Sequence, residues 1–381
     1  MKIALISEKI NNSGGIERYV LNLGQNLAKN NDIYLVAREI ENIEFKAKKI
    51  IVNYPNITKG LNALFFPYFS SSSIKNEKFD IIHSQGRATY TGNIITFHSC
   101  HLAALNAAYK ERGILYFLFK QIQPFNKISL YNERMACKEY KNIIAVSKGL
   151  KKEIIQYYKV DSEKITVIPN GVDISRFNLQ NKEKEKEKIR KKYNLEKNDI
   201  VLIIIANEFI RKGVNYIIDS LHYIKDKNIK LLVIGKDNPN YLIKKAKEKD
   251  VEDRVIFTGK IEGNEIPNFL MASDIFVFPT YYEAFSLATL EAAAAGLPIL
   301  MTRVNGSDEI LVENKNGYLI ERNATNIAEK IESIIYDEKK MREMSKKSRQ
   351  IAEQYSWDKI SKLTYEKYKE ILENSKGIIS D

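Results

Sequence analysis

Short apolar blocks recur along the chain at intervals wide enough to hold a helix between them. In the first half they fall at 3–7, 33–37, 50–54, 79–83, 94–98, 143–147 and 165–168. In the second half they fall at 200–206, 230–235, 255–259, 275–279, 298–302 and 318–320. Several are apolar throughout, such as VLIIIA at 201–206, as strands covered on both faces must be. The stretches between them are long enough for right-handed βαβ crossovers. The pattern predicts an α/β protein with two doubly wound domains, whose ligands sit beyond the carboxyl ends of the strands.

A boundary is expected where PNGVDISRFN (169–178) leaves the last strand of the first half. The charged run that follows, NKEKEKEKIRKK, reads as a solvated linker or helix face. The expected domains are 1–178 and 179–357, with a helix at about 358–375 packing back on the first.

Composition narrows the class. The 381 residues suit about two domains of roughly 150 residues each. A hydrophobic content of 44% with only 8 prolines excludes a disordered or collagen-like chain. No apolar run approaches the roughly 20 residues a spanning helix needs. The net charge of +12 favours phosphate or anionic-lipid partners. Nucleic acid is not expected, because no recognised motif or basic helix with interleaved aromatics is present. The opening MKIALISEKINNSGG lacks a signal peptide's apolar core. Two cysteines, Cys100 and Cys137, fit a reducing compartment and make no metal spacing. The expected address is the cytoplasm.

Four motifs carry candidate chemistry. NSGGIERYV follows the first strand. Its glycines allow close backbone approach to an anion, and Glu17 falls in the opening turn of the next helix. FHSCH follows a later strand, where His98 is placed to donate to a phosphate or sugar hydroxyl. EFIRKG follows the first strand of the second half. There Arg211 and Lys212 make a candidate anion clamp, one a planar fork and the other a point charge.

The most informative stretch is FVFPTYYEAFSLATLEAAAAGLPIL, 276–300. A strand reaches Pro279, a loop carries Glu283, and a helix is expected from about Phe285-Ser286 to Ala295. Gly296 is suited to end it and Pro298 forbids its continuation. The N–H groups of Phe285, Ser286 and Leu287 would face an anion. Glu291 lies roughly 7–8 Å further along at about 1.5 Å per residue, about the offset from a pyrophosphate to a ribose. No Asp-x-Asp pair occurs, so a diphosphate would be met by Arg211, Lys212 and helix N-termini, with no metal and no cofactor expected.

The set GGIE, PNGVD, RKG and EAFSLATLEAAAAGLP, in this order, resembles the family 4 retaining glycosyltransferases of GT-B fold over nearly the whole chain. FIRKG is most similar to the branch containing lipopolysaccharide-core glucosyltransferases. The resemblance implies two Rossmann-like domains facing across a cleft that takes a sugar nucleotide, with a UDP-sugar the expected substrate. By resemblance, Arg211 and Lys212 would grip the diphosphate and Glu291 the ribose. Glu283 would contact the donor sugar, near the amides of Phe285 and Ser286, and His98 would lie close to it. Gly15 would approach the phosphate and Glu17 the acceptor. Many members carry Gly-Arg where this chain has Ala206-Asn207, and Arg211 is expected to supply that charge. The implied reaction is metal-independent transfer with retention to a glycan or lipid-linked acceptor in cell-surface polysaccharide synthesis. A sugar-nucleotide epimerase on the same fold is the alternative.

The segment 109–135 crowds Ile114, Leu115, Phe117, Leu118, Phe119, Ile122 and Phe125 between basic residues. Two readings are open, a core helix and a peripheral contact with an anionic membrane surface. The charge balance and the resemblance favour the second, which would place the enzyme on the inner face of the membrane.

Overall fold

The computed structural model describes residues 1–12, 14–41, 43–55 and 57–377. Contacts divide the chain into two units. One is Met1–Gly171 with Trp357–Asp381, and the other is Val172–Ser356. The first unit thus ends at Gly171 rather than at 178, and the PNGVD turn is split between the two.

The first unit contains β1 (Lys2–Ile6), β2 (Lys9–Ile10), β3 (Asp32–Ala37), β4 (Glu39–Ile40), β5 (Lys48–Ile51), β6 (Ile81–Gln85), β7 (Ile94–Phe97), β8 (Asn142–Ala145) and β9 (Ile165–Val167). Seven of them form one sheet in the order β5-β3-β1-β6-β7-β8-β9, paired in parallel throughout. The two-residue strands β2 and β4 pair with each other and had no counterpart among the apolar blocks. Helix Trp357–Gly377 belongs to this unit. Trp357 meets Tyr19 at 5.4 Å between ring centroids. It also lies where a Cβ on Gly171 would come within 2.5 Å of the indole.

The second unit contains β10 (Ile200–Ile205), β11 (Ile229–Ile234), β12 (Val255–Gly259), β13 (Ile275–Phe278), β14 (Ile299–Met301) and β15 (Gly317–Leu319). They form a parallel sheet in the order β12-β11-β10-β13-β14-β15. Leu202, Ile203, Ile204, Phe276, Val277 and Phe278 are all completely buried, which explains their unbroken apolar sequence. The charged run is not a linker. It forms helix Lys182–Lys192 with Ile189 and Arg190 buried. Lys186 and Arg190 grip Asp274 at 3.0 and 2.8 Å.

Strand order reverses between β1 and β6 in one sheet and between β10 and β13 in the other. Such switch points open a crevice at the carboxyl ends of the strands.

Candidate active site

The richest cluster of candidate residues lies at the switch point of the second unit. Helix Phe209–Lys212 follows β10 and presents Arg211 and Lys212. The loop after β13 presents Glu283. Arg211 Nη1 lies 3.1 Å from Glu283 Oε1, and Lys212 Nζ bonds the same oxygen. Thr280 Oγ1, fully buried, donates to it at 3.2 Å. Arg211 also donates to the Tyr282 carbonyl at 2.7 Å and to Glu208 Oε2 at 2.7 Å.

Burial opposes the charge on Glu283, but Lys212 and Arg211 together hold its pKa below the usual carboxylate range. Burial also lowers Lys212, and Glu283 restores only part of that loss. For Arg211, burial is outweighed by Glu283 and Glu208, so its pKa rises. The cluster is therefore ionised and internally paired.

Helix Leu287–Ala294 begins just beyond. Buried Ser286 caps it by accepting from the Thr289 N–H at 3.2 Å. Gly296 ends it at φ +73°, a left-handed conformation that favours glycine. The helix starts one to two residues later than the Phe285-Ser286 start read from the sequence and ends one residue before Ala295. The N–H groups of Phe285, Ser286 and Leu287 head it and have no partner among the described residues.

Glu291 is 8% exposed and lies 3.7 Å from Arg176 Nη1. Arg176 comes from the PNGVDISRFN turn and also donates to the Gly263 carbonyl. Sequence reading treated that turn as a domain exit and missed its arginine. It also missed Thr280 and Arg322. Nothing in the spacing of Arg176 and Arg322 marks them, because their partners are backbone carbonyls or distant side chains.

The remaining candidates belong to the first unit. Gly15 opens helix Gly15–Leu27 and Glu17 lies in its first turn. A Cβ on Gly14 would fall 2.2 Å from Glu17 Oε2, so Gly14 makes the close approach to that carboxylate. His98 follows β7, with Nε2 2.9 Å from Gln85 Oε1 and its ring against Tyr19 at 4.9 Å. Burial pushes its pKa down to about 3, leaving a neutral imidazole. Gln85 Nε2 is buried without a partner among the described residues, a polar group that no motif marks.

The other two histidines near these strands are structural. His83 is fully buried between Tyr368 Oη and Thr96 Oγ1, each at 2.6 Å. His101 Nε2 bonds Asn126 Oδ1 at 3.0 Å. Among the described residues, no group of three or more His, Cys, Asp or Glu is arranged to hold a metal ion.

The segment 109–122 differs from a core helix. Gly113 breaks helix His101–Ile122 at φ +80°. Beyond it, Ile114, Leu115, Leu118, Phe119 and Ile122 are 49 to 80% exposed. Phe117 instead packs on Tyr109 at 5.4 Å. No helix of the described residues is long and apolar enough to cross a membrane.

Residues 13–176 match the family described as Glycosyltransferase Family 4, and residues 185–351 match Glycosyl transferases group 1. An uncharacterized glycosyltransferase of Methanocaldococcus jannaschii is 27% identical over 78% of this chain and 77% of its own length. An Escherichia coli enzyme, UDP-Gal:alpha-D-GlcNAc-diphosphoundecaprenol alpha-1,3-galactosyltransferase, is 29% identical over 66% of this chain and 64% of its own. The crystal structure of WaaG, a glycosyltransferase involved in lipopolysaccharide biosynthesis, superposes with a TM-score of 0.78 at 19% identity. That match covers 95% of this chain and 98% of WaaG, and the shared architecture is the GT-B fold.

Proposed function

The chain belongs to glycosyltransferase family 4, and from that premise we propose that it transfers a glycosyl unit from a UDP-sugar to a glycan or lipid-linked acceptor in cell-surface polysaccharide synthesis. The observation that carries the reading is the Arg211–Lys212–Glu283 cluster at the switch point between β10 and β13. Two cations and a helix N-terminus converge where the fold class binds ligands. The E. coli relative's own donor, UDP-Gal, supports the choice of base.

In this reading the diphosphate lies on Arg211, Lys212 and the N–H groups of Phe285, Ser286 and Leu287. Glu291 holds the ribose hydroxyls and Glu283 faces the donor sugar. Gly15 approaches the phosphate, Glu17 serves the acceptor and His98 stands near the sugar. The bond from the anomeric carbon to the leaving phosphate oxygen breaks as the acceptor oxygen attacks from the same face. The acceptor's proton passes to the leaving diphosphate, and no protein nucleophile or metal takes part. The protein's contribution is electrostatic stabilisation of the leaving group and alignment of the acceptor. Neutral His98 suits a hydrogen-bonding role better than a proton store.

The exposed apolar residues of 114–122 support a cytoplasmic enzyme that docks on an anionic membrane, where a lipid-linked acceptor would lie. The test is a donor panel of UDP-, GDP- and ADP-sugars with candidate acceptors, read by mass spectrometry. A glycosylated acceptor with retained anomeric configuration is expected. Release of an isomerised free sugar without acceptor would instead make the chain an epimerase.

A further inference from the structure

Arg322 follows β15, at the carboxyl edge of the same sheet. Its Nη1 donates to the carbonyl of Pro279, just past β13, and to that of Arg211 at 3.2 Å. Its Nη2 reaches the Ile210 carbonyl at 3.4 Å. The guanidinium lies 4.7 Å from the Tyr216 ring centroid and 5.3 Å from that of Tyr281. One side chain therefore joins three loops, those after β10, β13 and β15.

The loops it joins are pressed tightly together. Gly213 has φ +81°, and a Cβ there would fall 2.2 Å from the Pro279 carbonyl and 3.0 Å from Arg322 Nη1. The Tyr281 N–H donates to the Arg211 carbonyl at 3.3 Å. Helix Phe209–Lys212 has only four residues, too few to set its own position by internal hydrogen bonds. A further backbone tie is the Phe209 N–H on Asp237 Oδ2 at 2.9 Å. Two of the three carbonyls that Arg322 holds, those of Ile210 and Arg211, belong to the segment from which Arg211 and Lys212 project.

We propose that Arg322 is a positioning residue for the donor site: by fixing the backbone of 210–211 against Pro279, it sets where the Arg211 and Lys212 side chains meet the donor diphosphate. The inference rests on the reading of Arg211 and Lys212 as the diphosphate clamp. A planar fork that binds several carbonyls while stacking on two rings is specific to arginine, and an ammonium cannot reproduce it. A displacement of about 1 Å in catalytic groups is enough to cost on the order of 100-fold in rate.

Arg254 supplies the control. It too binds backbone carbonyls, those of Leu221, Ile224, Asp226 and Ile229, and it is buried. Those residues precede β11 or open it, so they lie at the opposite end of the strands from the clamp.

The experiment uses the full chain with UDP as the probe. Calorimetry, steady-state kinetics and thermal unfolding are measured for Arg322→Gln, Arg322→Lys, Arg254→Lys, Arg211→Ala and the double variant Arg211→Ala/Arg322→Gln. Arg322→Gln should weaken UDP about tenfold and raise donor KM while leaving acceptor KM unchanged, and Arg322→Lys should recover little. Arg254→Lys should lower the melting temperature without changing UDP affinity. In the Arg211→Ala background, adding Arg322→Gln should cost less than twofold more, because both changes act through one group. Full additivity, or unchanged UDP affinity in a folded Arg322 variant, overturns the proposal. Should Arg322→Gln fail to fold, Arg322→Lys carries the same test. If Arg211→Ala binds UDP as well as the wild type does, the clamp reading itself falls, and this inference with it.

Discussion

Arg211 Nη1 lies 3.1 Å from Glu283 Oε1, so the cation assigned to the donor diphosphate already holds a carboxylate. Glu283 shares that oxygen with Lys212, and the three side chains are 12 to 24% exposed. On the proposed assignment, an incoming diphosphate competes with Glu283 for both cations. The shared carboxylate offsets the repulsion between the two positive charges.

Removing either cation therefore has two effects. Arg211→Ala or Lys212→Ala loses a charge-assisted contact to the diphosphate, worth about 1.5–3 kcal/mol, and leaves Glu283 less compensated. Donor kcat/KM should fall by roughly that amount. Glu283→Gln removes the competitor while keeping the shape of the side chain. It should bind UDP at least as tightly as the wild type and turn over more slowly. Calorimetry with UDP separates these outcomes, and weaker UDP binding in Glu283→Gln would contradict the competition.

Glu291 sits further along the helix and pairs with Arg176 at 3.7 Å. Glu291→Ala should weaken UDP by about 1.5–3 kcal/mol, the range for a hydrogen bond to a charged group. At saturating donor, kcat should stay near the wild-type value. A large fall in kcat with UDP affinity intact would move Glu291 from the nucleoside to the reacting sugar.

If the diphosphate charge is met by Arg211, Lys212 and backbone N–H groups, chelation should leave the rate unchanged. Activity with the cognate donor is compared with and without EDTA. Complete inhibition reversed by Mg²⁺ or Mn²⁺ would require a metal at the diphosphate.

The central strands of the second sheet were legible because they are apolar on both faces. Ile200–Ile205 and Ile275–Phe278 have no polar position to obscure them. The short strands β2 and β4 expose part of each residue pair and gave no such signal. At the site, Glu283 and Glu291 stood out because each interrupts an apolar or aromatic run. Arg176 and Arg322 did not, because their importance arises from carbonyls and side chains that only the fold brings to them. The exposure of Leu115 and Phe119 was equally hidden, since an apolar run has the same sequence whether it is covered or bare.

Glu133 offers a pH test of the first unit. It accepts from the His101 N–H at 2.8 and 3.1 Å and from Tyr158 Oη. Burial outweighs these bonds and raises its pKa from 4.5 to about 7. A raised folded-state value means the native chain holds a proton that the unfolded chain releases first. The stabilisation is fully present below pH 4.5 and is lost as pH rises through about 7. At about 1.36 kcal/mol per unit, the wild type should lose about 2–3 kcal/mol relative to Glu133→Gln between pH 4.5 and 8. Comparing the two proteins cancels the contribution of His83 and His98. Parallel stability curves would show that Glu133 does not titrate in this window.

Leu115 is 80% exposed and Phe119 57%, on a helix segment with Arg112 and Lys120 against Tyr116 at 4.6 and 5.4 Å. Burying an exposed side chain of this size is worth about 1.5–3 kcal/mol, and each nearby cation adds about 1 kcal/mol at an anionic surface. Neither contribution alone would give firm attachment, and the proposed docking rests on the two acting together. Co-sedimentation with vesicles should therefore require anionic lipid and weaken as salt screens the charges. The Leu115→Ser/Phe119→Ser variant should lose at least tenfold in partitioning while keeping its melting temperature, because neither side chain is buried in the core. Phe117 is a poor probe, since its packing on Tyr109 would confound folding with binding. If the wild type fails to bind anionic vesicles at low salt, the apolar surface must meet something other than lipid, and glycosyl transfer would be unaffected by that outcome.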